Sequence, residues 1–153
     1  MNMILGVVLA MFAVTSMPVS AANGSGQAEA RDMVQVRVWS VHATNQKTVM
    51  GDGLERVAKH LKNLNYSGFE LLRKDSAGIS VKGARRFAIE GDRTVRVSIL
   101  SQNEQRARVR VQVKSEEGTL LDTTVSIRRN GFFIVAGPRY KGGILVLPIF
   151  ARY

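Results

Sequence analysis

Hydrophobic and polar residues alternate along most of the chain from residue 33 onward, with the period of two that is typical of β-strands. The first such segment begins at Met33 and has valine at Val34, Val36 and Val38. Further apolar or alternating segments cover residues 69–74, 79–81, 86–90, 93–101, 107–114, 120–128, 132–136 and 144–150. Clusters of Gly, Asn, Asp and Pro separate them and predict turns. The pattern predicts a mainly antiparallel β-sheet, a meander of about six to eight short strands.

One segment after the first strand has helical spacing instead. Its apolar residues recur at intervals of three and four: Leu54, Val57, Ala58, Leu61 and Leu64. This spacing places them on one face of an amphipathic helix. Asp52 is a suitable N-cap and Gly68 a suitable stop. We therefore predict an α+β domain in which the helix and the apolar face of the sheet cover each other.

Two turn and strand signals are specific enough to test. Asn130-Gly131 is a strong hairpin signal, because both residues accept the positive φ of a tight primed turn. Pro148 cannot donate a hydrogen bond to a strand ladder, so we expect the last strand to lie at an edge or to contain a bulge.

The first 21 residues differ from the rest of the chain. They contain no charged side chain, and residues 4–14 are apolar apart from Gly6. Val19 and Ala21 are small residues at the positions that a signal peptidase reads. We predict a signal peptide over residues 1–21, cleaved near Ala21, a flexible leader over 22–32 and a single domain over 33–153. The apolar run is too short to span a bilayer, which favours a cleaved signal peptide over a membrane anchor. We expect a periplasmic or secreted protein with no transmembrane helix in the mature chain.

Composition excludes several kinds of chemistry. The chain of 153 residues has no Cys, so disulfides, Cys-ligated zinc and thiol catalysis are excluded. Its two histidines, His42 and His60, lack a metal-ligand spacing. No Gly-x-Ser-x-Gly or Ser-x-x-Lys motif is present. We predict no cofactor, no metal and no catalytic residues, and we expect the protein not to be an enzyme.

Charge is the most distinctive property. The chain has 15 Arg and 7 Lys against 12 acidic residues, a net charge of +10. In three successive predicted strands the odd-numbered residues are mostly apolar. Cross-strand partners lie on the same face of a sheet, so the residue numbers of two antiparallel partners must add up to an even number. Each hairpin loop must then contain an odd number of residues, and the three-residue segments Asn103-Glu104-Gln105 and Glu116-Glu117-Gly118 are suitable. It places Val109 between Ile99 and Val125.

The opposite face of these strands then collects most of the positive charge. Arg110 falls between Ser98 and Thr124, Arg106 falls opposite Arg128, and Asp122 is the main acid. Such a face is either ordinary solvated surface or an anion-binding surface, since Arg contacts phosphate and carboxylate bidentately. The candidate binding residues are Arg96, Arg106, Arg108, Arg110, Lys114 and Arg128.

A second candidate is the glycine-rich segment 137–143. It contains Arg139, Tyr140 and Lys141 between two apolar strands, which fits either a structured hairpin loop or a ligand loop. Trp39 lies opposite the valine face of its strand, and is either a surface aromatic for a partner or covered by another element.

A resemblance accompanies these patterns. The stretches concerned are Gly51-Asp52-Gly53-Leu54, Leu61-Lys62-Asn63-Leu64, Phe69-Glu70-Leu71-Leu72 and, above all, residues 135–147, VAGPRYKGGILVL. Together they resemble small exported bacterial proteins of unknown function. The resemblance covers most of the mature domain, implies no activity and assigns no functional residue.

The sequence thus favours an exported, non-catalytic envelope or secreted module that binds a protein or an anionic envelope polymer through the Arg-rich face. Three alternatives stay open. The first is a small hydrolase-type enzyme, and the second is a nucleic-acid binder in DNA uptake, for which the charge is suitable but aromatic residues for stacking are few. The third is a small outer-membrane barrel.

Overall fold

The computed structural model describes residues 32–153. The predicted signal peptide and all but the last residue of the predicted leader lie outside this range. Asp32 is described, and its main-chain oxygen accepts a hydrogen bond of 2.9 Å from the Val81 amide. No helix in the described part of the chain is long and apolar enough to cross a membrane.

Eight strands and one very short helix make up the fold. The helix α1 covers Ala58–Leu61. The strands are β1 (Met33–Thr44), β2 (Gly68–Ser80), β3 (Ala84–Ile89), β4 (Arg93–Gln102), β5 (Arg106–Ser115), β6 (Gly118–Arg128), β7 (Phe132–Tyr140) and β8 (Gly143–Arg152). They form two four-stranded sheets, with the orders β2-β1-β8-β7 (the first sheet) and β3-β4-β5-β6 (the second sheet). All pairings between these strands are antiparallel, which confirms the mainly antiparallel prediction.

The main hydrophobic core contains residues of both sheets. β1 contributes its even-numbered valines, such as Val36, and β8 contributes Leu147 and Ile149. The second sheet contributes the odd-numbered residues of its strands, such as Val97 and Val111. The predicted α+β class is therefore corrected to a two-sheet, almost entirely β architecture. The apolar face of each sheet is covered mainly by the other sheet, and not by a helix as the sequence suggested.

A second core lies on the other face of the first sheet. Trp39 and Val41 of β1 pack in one cluster with Leu54, Val57 and Leu61 from the segment that connects β1 to β2. β1 is consequently buried on both faces from Val38 to Val41, whereas Gln35 and Arg37, nearer its start, are exposed. Trp39 is 7% exposed, so of the two interpretations of its position, a surface aromatic or a residue covered by another element, the second is correct.

The predicted helix over 54–64 is mostly irregular. Only Ala58–Leu61 is α-helical, and its N-cap is Val57, which makes no side-chain cap hydrogen bond, so the expected capping by Asp52 is wrong. Leu54, Val57 and Leu61 are nevertheless fully buried. A helix this short has little intrinsic stability, so burial of these side chains, and not helix propensity, holds the segment in place.

Two other local predictions are also corrected. Asn130-Gly131 does not close a hairpin, because it connects β6 in one sheet to β7 in the other. Asn130 does adopt a positive φ of 57°. Pro148 lies in β8, which is an interior strand, so it is not at an edge. The register between β1 and β8 is the same at Val38↔Ile149 and Val41↔Val146, so the expected bulge is not found at Pro148, which is unpaired with β1.

Candidate anion-binding face

The strand pairing that positions the basic residues is the one that the sequence predicts. Val109 of β5 pairs with Ile99 of β4 and Val125 of β6. Val97, Ile99, Val109 and Val111 are fully buried. Even-numbered residues in the bodies of these strands therefore lie on the outer face of the second sheet.

In the hairpins β4–β5 and β5–β6, the predicted pairing, in which the numbers of paired residues add up to an even number, depends partly on bulges. The first connection comprises residues 103–105, as predicted, and the Asn103 side chain accepts hydrogen bonds from the amides of Gln105 and Arg106 at 2.9 and 2.8 Å. The second connection has only residues 116–117 between the strands. Register shifts at Leu100 and Leu120 restore the predicted pairing in each hairpin. The alternation of odd and even positions thus predicts the residue pairing correctly in the middle of the strands and less well at their ends.

Basic side chains occupy most of the outer face. Arg110 pairs with Ser98 and Thr124, and Arg106 pairs with Arg128, both as predicted. Arg96 pairs with Arg86 of β3, which adds a residue that the sequence pattern did not single out. The sequence feature that indicates the orientation of Arg86 is the alternation of apolar residues at Phe87 and Ile89, which places Arg86 on the outer side. We define the arginine face as Arg86, Arg96, Arg106, Arg108, Arg110, Lys114 and Arg128.

One carboxylate interacts closely with this face. Asp122 accepts hydrogen bonds from Arg110 Nε and Nη2 at 2.9 and 2.6 Å, and one from Gln112 Nε2 at 3.0 Å. The bidentate bond from Arg110 is the main reason why the pKa of Asp122 is lowered to about 2. The same bond raises the pKa of Arg110. Both side chains are largely exposed, 47% for Arg110 and 37% for Asp122, so this pair adds little stability.

The other cations of the arginine face have no such partner. Within residues 32–153 the ion pairs are Arg110–Asp122 and, elsewhere, Arg73–Asp75. Arg86, Arg106, Arg108 and Arg128 are exposed, while Arg96 and Lys114 are partly exposed. Like charges held side by side across strands repel each other. An anion bound here would relieve that repulsion.

The segment around Arg139, Tyr140 and Lys141 is a hairpin. Lys141 and Gly142 form its tight turn with positive φ values of 41° and 75°, and Tyr140 pairs with Gly143. The Arg139 main-chain oxygen accepts a 2.8 Å hydrogen bond from Arg93, and Lys141 Nζ lies 5.3 Å from the centre of the Tyr140 ring. A hollow of about 480 Å³ lies beside these residues. The three residues belong to β7 and the turn to β8 in the first sheet, whereas the arginine face belongs to the second sheet.

The histidines have ordinary structural surroundings. His42 Nε2 lies 3.0 Å from the Tyr140 main-chain oxygen, and the His42 ring meets the Tyr140 ring edge-on. His60 is exposed and stacks edge-on against Phe132. Across residues 32–153, His, Asp and Glu side chains do not gather in a group of three that would suit a metal ion.

Comparison with family models, curated proteins and solved structures returned no match.

Proposed function

We propose that this protein is an exported, non-catalytic module that binds an anionic envelope polymer through the arginine face. The observation that supports this most strongly is the charge distribution of that face: one aspartate, paired to Arg110, stands among seven basic residues. The predicted signal peptide would direct the protein to where phosphate-, sulfate- or carboxylate-bearing polymers occur.

The arrangement of the charges favours an extended ligand. Arg106, Arg108 and Arg110 alternate along β5 on the outer side, so they recur about every 6.8 Å. Neighbouring strands lie about 4.8 Å apart and add Arg96 and Arg128 on either side. A polymer with repeating anions can contact several of these side chains at once, whereas a single small anion reaches only two or three.

The rigidity of the platform also supports binding. The residues beneath the face, Val97, Val109 and Val111, are fully buried, and β4 and β5 are both interior strands of their sheet. The Arg backbones are therefore fixed, and only their side chains lose freedom on binding. This lowers the entropic cost of association.

The binding test compares dextran sulfate with neutral dextran. The test variant replaces Arg96, Arg106, Arg108 and Arg110 with Gln. A matched variant replaces Lys47, Lys59, Lys62 and Arg85 with Gln. These residues are all exposed and outside the arginine face, so the net charge falls by the same amount in both variants. Circular dichroism and thermal unfolding establish that both variants are folded.

We expect the wild-type protein and the matched variant to bind dextran sulfate with similar affinity and not to bind dextran. The arginine-face variant should bind at least tenfold more weakly, because each charge-assisted contact contributes free energy to binding. Equal weakening in the two variants would show that only net charge matters and would contradict the proposal.

A further inference from the structure

A second cationic site lies on the opposite side of the molecule. On the outer face of the first sheet, beside the segment that connects β1 to β2, is a cleft of about 300 Å³. Arg37, Arg56 and Arg152 line it, and we call it the arginine cleft. None of these residues stands out in the sequence, because they come from three distant parts of the chain that only the fold brings together. We propose that the arginine cleft binds the phosphate group of a small molecule.

The strand ladder fixes two of the three arginines. Arg37 of β1 pairs with Phe150 of β8, and Gln35 pairs with Arg152. Odd-numbered residues of β1 face away from the main core, as Trp39 shows. Arg37 and Arg152 therefore lie diagonally across the same strand pair on the same outer face, at a separation that one oxyanion can bridge.

Arg56 is brought to the cleft from the other side. Its Nη2 donates a 3.3 Å hydrogen bond to the Asn130 main-chain oxygen, and its guanidinium carbon lies 5.0 Å from the centre of the Phe150 ring. Phe150 is buried and in contact with Trp39. Arg56 is thus held by two contacts and keeps other N–H groups available for a ligand.

The charge of the cleft is uncompensated. No acidic residue is among those that line it. Within the described part of the chain, the Arg37 and Arg152 side chains have neither an ion pair nor a hydrogen bond. Arg129 lines an adjoining hollow that shares Arg37 and Arg152, but it donates to the Tyr153 main-chain oxygen. Three guanidinium groups around one concave site match the several oxygens and the double charge of a phosphate.

The size of the cleft separates this ligand from the one proposed for the arginine face. A hollow of about 300 Å³ is at the small end of ligand sites and accommodates a phosphorylated small molecule, not several units of a polymer. The two sites lie on different sheets and share no residue, so each proposal can fail alone.

The test is a titration of the ¹⁵N-labelled protein with inorganic phosphate, with chloride exchanged to keep ionic strength constant. We expect saturable amide shifts centred on Gly131 and Ala151, which line the cleft. Arg37→Gln and Arg152→Gln should each weaken phosphate binding about tenfold, since each removes a charge-assisted contact. The double variant Lys47→Gln/Arg85→Gln, at exposed residues outside both proposed sites, is the control and should bind phosphate like the wild type.

Three results would overturn the proposal: shifts that grow linearly without saturation, wild-type affinity in both cleft variants, or equal weakening in the Lys47→Gln/Arg85→Gln control. Arg37 and Arg152 are exposed, so their variants should fold, and the amide spectrum itself reports whether they do. Dextran sulfate binding is measured on the same proteins. Its retention in Arg37→Gln and Arg152→Gln, with phosphate binding weakened, would establish two independent sites.

Discussion

At the scale of single residues, Asp122 reports the electrostatic environment of the arginine face. Its carboxylate is held by the bidentate bond from Arg110 and lies near other cations, and its pKa is about 2. We predict that an NMR titration of the Asp122 carboxyl carbon in the wild-type protein has its midpoint near this value. In Arg110→Gln the midpoint should move up towards the ordinary value of 3.8, because the main cause of the shift is removed.

The sign of the linked stability change follows from the same shift. The pKa of Asp122 is lower in the folded protein, so its contribution to stability is fully present above about pH 3.8 and disappears as the pH falls towards about 2. The Arg110→Gln variant should show a weaker dependence, because Gln112 and Lys114 still lower the pKa of Asp122. An unchanged Asp122 midpoint in the variant would show that the bidentate bond does not form in solution.

Gly143 lies at a position where there is no room for a side chain. It begins β8, and a Cβ atom built on it would overlap the main-chain oxygen of Ala43 in β1. We predict that Gly143→Ala lowers the free energy of unfolding by about 3 kcal/mol or more, because backbone must move. Denaturant unfolding measures this change.

Gly118→Ala is the matched control for Gly143→Ala. No atom lies within 4 Å of a Cβ on Gly118, and the cost arises only from its positive φ of 136°. We expect a loss of about 1 to 2 kcal/mol for this conformational strain. If Gly118→Ala were the more destabilising of the two substitutions, this would contradict the close approach of the Gly143 backbone to β1.

At the scale of elements, the segment between β1 and β2 acts as a cover for the first sheet. It has only four α-helical residues, yet Leu54, Val57 and Leu61 are fully buried against the face that contains Trp39. Its position therefore depends on packing. This differs from a long amphipathic helix, which would gain stability from its own hydrogen bonds.

We predict that Leu61→Ala destabilises the protein by about 2 to 5 kcal/mol, the usual cost of a cavity at a buried leucine. Trp39 is the one tryptophan of the chain, so its fluorescence reports this core directly and should shift to longer wavelength. Lys62→Ala, on the exposed neighbour, is the control and should change neither property. A Leu61→Ala variant of wild-type stability would mean that the segment does not cover the sheet.

The elements also show where sequence reasoning works. In β4, β5 and β6 the apolar residues alternate regularly, and a shift by one residue would expose the whole core face. The pairings of Val109 and Arg110 were predictable for that reason. The pairing of Arg86 with Arg96 was not, because β3 is short: the alternation of Phe87 and Ile89 indicates which side Arg86 faces but is too brief to set a register.

Long-range arrangement was harder to predict than register. Asn130-Gly131 has the local chemistry of a tight turn, but local chemistry does not tell whether the next strand pairs with the previous one or enters another sheet. The same limit hid the arginine cleft, whose residues Arg37, Arg56 and Arg152 are far apart in sequence. The helical spacing after β1 identified the buried Leu54, Val57 and Leu61 correctly, whereas Ala58 and Leu64 are only partly buried, and the extent of the helix was overestimated.

At the scale of the whole molecule, the two sheets carry cationic sites on their outward faces. The arginine face lies on the second sheet, and the arginine cleft lies on the first. Ten of the 22 basic residues belong to these two sites, seven in the arginine face and three in the arginine cleft. The net charge of +10 attracts anions at long range, and under the two proposals the local geometry selects which anion each site binds.

If the arginine face binds a polyanion as proposed, the salt dependence of binding measures the number of contacts, because each contact releases counterions from the polymer. The measurement is the affinity for dextran sulfate over a series of NaCl concentrations, with the logarithm of the binding constant plotted against the logarithm of salt. We predict a steep linear decrease for the wild type and for the matched Lys47/Lys59/Lys62/Arg85 variant. The arginine-face variant should have a clearly shallower slope. Equal slopes for all three proteins would show that the arginine face does not bind the polymer.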